Sequence, residues 1–181
     1  MKVKLARTAG FCMGVRRAME ILLEAMAKQD GNIYTYGPLI HNPQVLNLLE
    51  RRGIRVVNRP DGLAPGTLVI RAHGIPPVER QAIMEAGLNL IDATCPRVVK
   101  VQRIIAKYAK RGYATVIVGD IDHPEVKGLL GFAEGRGWVI GSLEEAEAVG
   151  GGDLIVVAQT TQDEVLFERI VARIRELRPD V

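Results

Sequence analysis

Two cysteines and three histidines are the residues of this chain best equipped for chemistry: Cys12 and Cys95, and His41, His73 and His123. Thiolates and imidazoles ligate metals, and both take part in redox and proton-transfer reactions. Each of the five sits in a short segment rich in proline and glycine. These segments are Gly10-Phe11-Cys12-Met13-Gly14, Gly37-Pro38-Leu39-Ile40-His41-Asn42-Pro43, Arg71-Ala72-His73-Gly74-Ile75-Pro76, Asp92-Ala93-Thr94-Cys95-Pro96 and Asp122-His123-Pro124-Glu125. A sixth segment, Gln159-Thr160-Thr161, adds two hydroxyls. The only serine, Ser142, lies in an acidic stretch, which nearly excludes serine-nucleophile chemistry. No C-x-x-C, H-E-x-x-H, Walker or dinucleotide-binding pattern is present.

Elements that position these residues follow from the hydrophobic pattern. Short apolar runs mark strands at Val3–Ala9, Asn32–Tyr36, Arg55–Val57, Thr67–Ala72, Leu88–Ala93, Ala114–Gly119, Trp138–Ile140 and Leu154–Gln159. Several are apolar throughout, as expected of parallel strands buried on both faces. Between them Val15, Met19, Leu22 and Met26 recur at helical spacing, as do Val98, Val101, Ile105 and Tyr108, and Leu166, Ile170, Ile174 and Leu177. The fold class is therefore α/β: two similar small domains, each a mostly parallel sheet flanked by helices. The domains are expected at 1–95 and 96–181, with the first strand free to pack elsewhere.

On this map every cysteine and histidine follows the carboxyl end of an expected strand, the edge where open α/β sheets bind ligands. Pro43, Pro76 and Pro124 sit where first helical turns begin. The histidines thus precede helix N-termini, whose free N–H groups suit phosphates, and a helix N-terminus also favours the metal-binding thiolate. Singly, each residue has a plainer reading. A lone cysteine packs as a small hydrophobe, Glu125 complements a helix dipole, and Thr160-Thr161 caps a helix. Their coincidence on one edge outweighs those readings.

Composition limits the partners. The 181 residues are 48% hydrophobic with a net charge of +3 and only 4% aromatic residues, so neither nucleic acid nor a membrane is the expected partner. Two cysteines do not make a disulfide scaffold, and a reduced, cytoplasmic location is expected.

The six segments, in this order, resemble those of the LytB-type iron–sulfur reductases that act on 4-hydroxy-3-methylbut-2-enyl diphosphate. The resemblance runs from about residue 1 to about residue 178. It implies that Cys12 and Cys95 ligate a [4Fe–4S] cluster, and that His41, His73 and His123, with Thr160 and Thr161, bind the substrate diphosphate and its surroundings. It further implies that Glu125, with His123 and Thr160, serves proton delivery. The implied reaction removes the allylic hydroxyl and yields isopentenyl and dimethylallyl diphosphate, with electrons from a ferredoxin or flavodoxin. The family fold has three such domains, with a third cysteine in the last. Against that pattern the chain reads as the first two domains, lacking the third domain and its cysteine. It is then expected to be inactive alone and to self-associate through the surface the third domain would cover. The alternatives are a non-catalytic diphosphate-binding module and a truncated relative without a cluster. A zinc site made of Cys12, Cys95 and a histidine also remains open.

Overall fold

The computed structural model describes residues 2–7, 9–28 and 31–179. The chain order is α1 (Met13–Lys28), β1 (Asn32–Tyr36), α2 (Pro43–Arg51), β2 (Arg55–Val57), β3 (Gly66–Ile70), α3 (Pro77–Glu85), β4 (Asn89–Asp92) and α4 (Pro96–Ala109). Then come β5 (Ala114–Val118), α5 (Pro124–Leu130), β6 (Gly137–Ile140), a 3-10 helix (Glu144–Ala148), β7 (Leu154–Ala158) and α6 (Glu164–Leu177). Seven of the eight expected strands form, Asn32–Tyr36 and Arg55–Val57 with the expected bounds and the others with ends moved by at most two residues. The prolines act as helix starters: Pro43, Pro77, Pro96 and Pro124 each open a helix, where the missing N–H costs nothing.

All strand pairs are parallel. They make a four-stranded sheet of order β2-β1-β3-β4 and a three-stranded sheet of order β6-β5-β7. β5 is buried at every position, as its unbroken Ala-Thr-Val-Ile-Val run requires. The helices bury both faces of each sheet. Ala18 and Leu22 of α1 and Leu49 of α2 pack with Ile33 and Val69 on one face of the first sheet, and Ile83 of α3 packs with Tyr34 and Leu68 on the other. In the second sheet, Val98 and Ile105 of α4 meet Ile117 and Val157, while Ile170 and Ile174 of α6 meet Val116 and Val118.

Both sheets follow one plan. The chain enters at a central strand, crosses to one side, then returns to the other side. That reversal leaves a crevice at the carboxyl ends of β1 and β3 in the first sheet, and of β5 and β7 in the second. Such switch points are where α/β sheets bind ligands.

The expected strand at Val3–Ala9 does not form. Thr8 lies outside the described residues; Lys2–Arg7 and Ala9 pair with no strand. Val3 and Leu5 are 81% and 88% exposed. An apolar pattern specifies strand propensity, but a strand needs an edge to pair with, and neither sheet takes up this segment. Cys12 therefore follows a non-strand segment and leads directly into α1.

Candidate functional site

Each switch point carries its two site loops. His41 follows β1 and His73 follows β3 at the first; His123 follows β5 and Thr160 follows β7 at the second. The local chain explains why these loops are stiff. Asn42 caps α2 by accepting from the Val45 N–H at 3.0 Å, which fixes the residue beside His41. A turn closed by Gly74 N–H to the Arg71 carbonyl, at 3.0 Å, presents His73. Its corner, Gly74, has φ of +73°, and a Cβ there would meet Gln102 Nε2 at 2.5 Å.

The two crevices face each other, so that the three imidazoles meet although they come from different sheets. Ring centroids are 4.6 Å apart for His41–His73, 5.3 Å for His73–His123 and 5.6 Å for His41–His123. One nitrogen of each ring lies within 4.8 Å of the others. His73 has a pKa lowered to about 4, first by burial and then by the neighbouring charges of His41, His123 and Arg71. It is a neutral ring at neutral pH. Its buried Nδ1 has no hydrogen-bond partner among the described residues, so a polar group toward the cluster is left to be satisfied.

His123 is tautomerically constrained. Its Nδ1 accepts the Glu125 N–H at 3.2 Å, so the neutral ring carries its proton on Nε2. That makes it a donor, the role an oxyanion needs and a metal ion does not. The trio is thus better matched to a phosphate than to a cation.

Glu125 is buried, 3% exposed, at the start of α5. Its Oε1 accepts from the Thr160 N–H at 2.6 Å and its Oε2 from the Thr160 hydroxyl at 2.8 Å. Carboxyl and hydroxyl therefore form a two-oxygen path along which a proton can move. Thr161 is exposed, and its hydroxyl accepts from Gln159 Nε2 at 2.9 Å.

The thiols lie at the heads of two helices. The Cys12 carbonyl accepts the first intrahelical bond of α1 from the Arg16 N–H at 2.9 Å, and Cys95 caps α4. Cys95 also donates its N–H to the Ala72 carbonyl at 2.9 Å, which anchors it beside His73. A Cβ on Gly14, two residues past Cys12, would lie 2.7 Å from Cys95 Sγ. The first turn of α1 thereby packs directly on the Cys95 side chain, and glycine is what permits it. Both thiols are free, with Cys12 exposed and Cys95 half-buried. Among the described residues the histidine trio is the one group of three potential metal ligands. Neither cysteine joins it, which removes the mixed cysteine–histidine zinc site. Free thiols at the heads of two helices are the donor type an iron–sulfur centre takes, and the 181 residues hold no third cysteine.

Two residues of the quoted segments to which the sequence assigns no role support this site. Gln159, buried, accepts the Asp120 N–H at 3.1 Å and donates to Thr161, so it ties the His123 loop to the Thr160 loop. A polar residue ending an apolar strand was its only signal. Arg71 is half-buried, its Nε is unpaired, and a Cβ on Gly37 (φ +68°) would overlap its Nη1. Nothing in its sequence spacing distinguishes it from a surface arginine.

The pKa of His73 makes a stability prediction. Its folded value lies below the unfolded 6.5, so the unfolded chain binds the proton first as pH falls. Stability should decline between pH 6.5 and about 4, by at most about 3 kcal/mol at 1.36 kcal/mol per unit. Urea midpoints for the native chain and for His73→Asn test this. The variant should lose most of that slope, and an unchanged slope would contradict the assignment.

Gly14→Ala makes a second prediction. The added Cβ must displace the Cys95 thiol, and overpacking at such a site costs about 1–3 kcal/mol. Thermal denaturation should show the loss. In the double variant with Cys95→Ala the loss should be smaller than the sum of the two single effects.

A fold of paired parallel sheets whose switch points converge on an imidazole cluster, with two free cysteines at helix starts, defines an α/β protein with a composite ligand site. Comparison with known proteins is more specific. The family model described as LytB protein matches residues 3–181, and the chain belongs to this family. The 4-hydroxy-3-methylbut-2-enyl diphosphate reductase of Solidesulfovibrio magneticus is 49% identical over 94% of this chain and 63% of its own length. That of Aquifex aeolicus is 41% identical, over 94% and 60%. A solved (E)-4-hydroxy-3-methyl-but-2-enyl diphosphate reductase, described as the terminal enzyme of the non-mevalonate pathway, aligns with TM-score 0.84 at 39% identity, covering 94% of this chain and 62% of that one. The Plasmodium falciparum reductase aligns with TM-score 0.88 at 30% identity, over 97% and 56%. The chain thus spans roughly three-fifths of the length of these relatives. Among the described residues no helix is long and apolar enough to cross a membrane.

Proposed function

We propose that this chain carries the diphosphate-binding and proton-delivery residues, and two of the cluster thiols, of a reductase acting on 4-hydroxy-3-methylbut-2-enyl diphosphate. The observation that carries the reading is the meeting of His41, His73 and His123 within 4.8 Å, from two sheets, joined through His123 to the Glu125–Thr160 pair. In this reading the imidazoles and Thr161 hold the diphosphate. Thr160 and Glu125 stand at the allylic hydroxyl. The hydroxyl leaves as water, its C–O bond replaced by a C–H bond, for two electrons and two protons. Isopentenyl and dimethylallyl diphosphate are the two products. Glu125 supplies a proton through the Thr160 hydroxyl to the departing oxygen.

Cys12 and Cys95 would hold a [4Fe–4S] centre, which when bound supplies the electrons and a Lewis-acidic iron. With two cysteines per chain, the remaining ligands come from outside these 181 residues; a second copy meeting the first at this edge is one source, through self-association. The electrons originate in a ferredoxin or flavodoxin, in a reducing cytoplasm. The unit boundary belongs to the same proposal: 1–95 and 96–181, supported by two sheets that share no strand.

Calorimetry with the substrate diphosphate and with the corresponding free diol tests the reading. The diphosphate should bind with 1:1 stoichiometry and the diol not at all. Equal binding of the two would refute it. The count of two cysteines favours a second reading, a binding module without redox work. In that case iron and sulfide would fail to load even at high protein concentration.

A further inference from the structure

α1 and α4, the two helices that start at cysteines, flank a cavity of about 620 Å3. Its walls carry Arg17 of α1 and Lys100, Arg103 and Lys107 of α4. Lys100, Arg103 and Lys107 are spaced by three and four residues and so share one helix face. None of the four cations forms an ion pair with a described residue. α4 has no acidic residue anywhere along Pro96–Ala109. The one carboxylate in the wall, Asp92, is already taken: it binds Arg80 at 2.6 Å and both the N–H and hydroxyl of Thr94. Four like charges around one concavity repel each other, and the contacts two of them make, Arg17 to the Thr94 carbonyl and Lys107 over the Tyr108 ring, bring no carboxylate to them.

The placement of this cavity is as specific as its charge. Thr94 and Pro96, the two neighbours of Cys95, form part of its wall. Arg17, five residues past Cys12, donates to the Thr94 carbonyl at 3.1 Å. The cavity therefore touches the backbone on both sides of one thiol and the helix that begins at the other. The proposed reaction consumes two electrons, which in that reading come from a ferredoxin or flavodoxin. A separate carrier must come close to the thiols.

We propose that the cavity of Arg17, Lys100, Arg103 and Lys107 is the docking surface for an acidic one-electron carrier protein, whose carboxylates supply the counter-charges absent here. The proposal rests on the reductase reading and deepens it. Each docked carrier would pass one electron to the iron–sulfur centre that Cys12 and Cys95 would hold and leave oxidised, so two dockings would serve each hydroxyl removed. A nucleic acid fits the surface less well. Lys100, Arg103 and Lys107 span about two turns of α4, with no long stripe, and the wall offers no aromatic platform. Tyr108 instead meets Tyr113 edge to face, with centroids 5.2 Å apart.

The test titrates the 181-residue chain with an acidic flavodoxin and, separately, an acidic [2Fe–2S] ferredoxin, both oxidised. Affinity is measured at 25 and 250 mM NaCl for the native chain and for the double variant Arg103→Glu/Lys107→Glu. Inorganic pyrophosphate and a 20-base-pair DNA duplex are titrated in parallel. At least one carrier should bind the native chain, at least tenfold more weakly at the higher salt, and at least tenfold more weakly to the variant at low salt. Pyrophosphate affinity should be unchanged, showing that the fold and the histidine cluster are intact. Neither carrier binding, equal binding by the variant, or tighter binding of DNA than of either carrier would overturn the proposal. Loss of pyrophosphate binding in the native chain, with carrier binding kept, would instead count against the reductase reading.

Discussion

Glu125→Gln should fold almost as well as the native chain and yet fail in proton delivery. The amide keeps an oxygen to accept the Thr160 N–H, which lies at 2.6 Å from Oε1, and its NH2 can donate to the Thr160 hydroxyl, at 2.8 Å from Oε2. Stability should stay within about 1 kcal/mol of native, since both contacts are replaced by neutral hydrogen bonds. An amide cannot release and retake a proton at neutral pH. Product formation in a preparation loaded with iron and sulfide and completed in its missing ligands should therefore fall by about 10²–10⁴. Glu125→Ala separates the two effects. It leaves the Thr160 N–H and hydroxyl unpaired at a site that is 3% exposed, at a cost of about 2–4 kcal/mol. Because 1 kcal/mol moves the melting point of a chain this size by about 2–4 °C, thermal denaturation distinguishes the two variants readily. If Glu125→Gln kept native turnover, Glu125 would be a structural clamp for Thr160 and nothing more.

Cys95→Ser should abolish iron loading while leaving the fold in place. The Cys95 N–H bond to Ala72 and the cap carbonyl that accepts from Val99 both belong to the backbone and survive the change. Sulfur makes the strong bond to iron, and a serine hydroxyl is a poor substitute for a thiolate. Anaerobic incubation with iron and sulfide, followed by visible absorption and iron assay, should show a bound chromophore in the native chain, increasing with protein concentration if two copies share ligands. The variant should retain less than about a tenth of that iron, because losing a ligand costs at least as much as the 10- to 100-fold lost when a residue behind a ligand is changed. Equal iron in both would place the metal elsewhere.

Much of this architecture was legible before the coordinates. Prolines at helix starts located the site loops to within a residue, because the ring is tolerated only where an N–H is already unpaired. Continuous apolar runs such as Thr115-Val116-Ile117-Val118 announced a doubly covered parallel sheet. The convergence of His123 on His41 and His73 was not legible from local pattern. Periodicity places each residue on the edge of its own sheet, but how two sheets dock depends on contacts far apart in sequence. The same limitation explains Val3–Ala9, where propensity was read and the partner edge was missing. The roles of Gln159 and Arg71 are not legible because they rest on two hydrogen bonds to loop residues in one case and one close approach in the other, which no spacing reveals. The approach of Cys95 to α1 hung on Gly14, in a Cys-Met-Gly segment whose glycine is otherwise unremarkable in a helix.

The central claim is that His41, His73 and His123 form one oxyanion site across the two sheets, and binding of inorganic pyrophosphate tests it most directly. Calorimetric titration at pH 7.5 compares the native chain with His41→Asn, His123→Asn and the double variant. Each lost hydrogen bond to a charged oxygen is worth about 1.5–3 kcal/mol, so each single change should weaken binding about 10- to 100-fold. Because both rings contact one ligand, the two effects should be non-additive. Pyrophosphate bound equally by the native chain and the double variant, or bound by neither, would contradict the account.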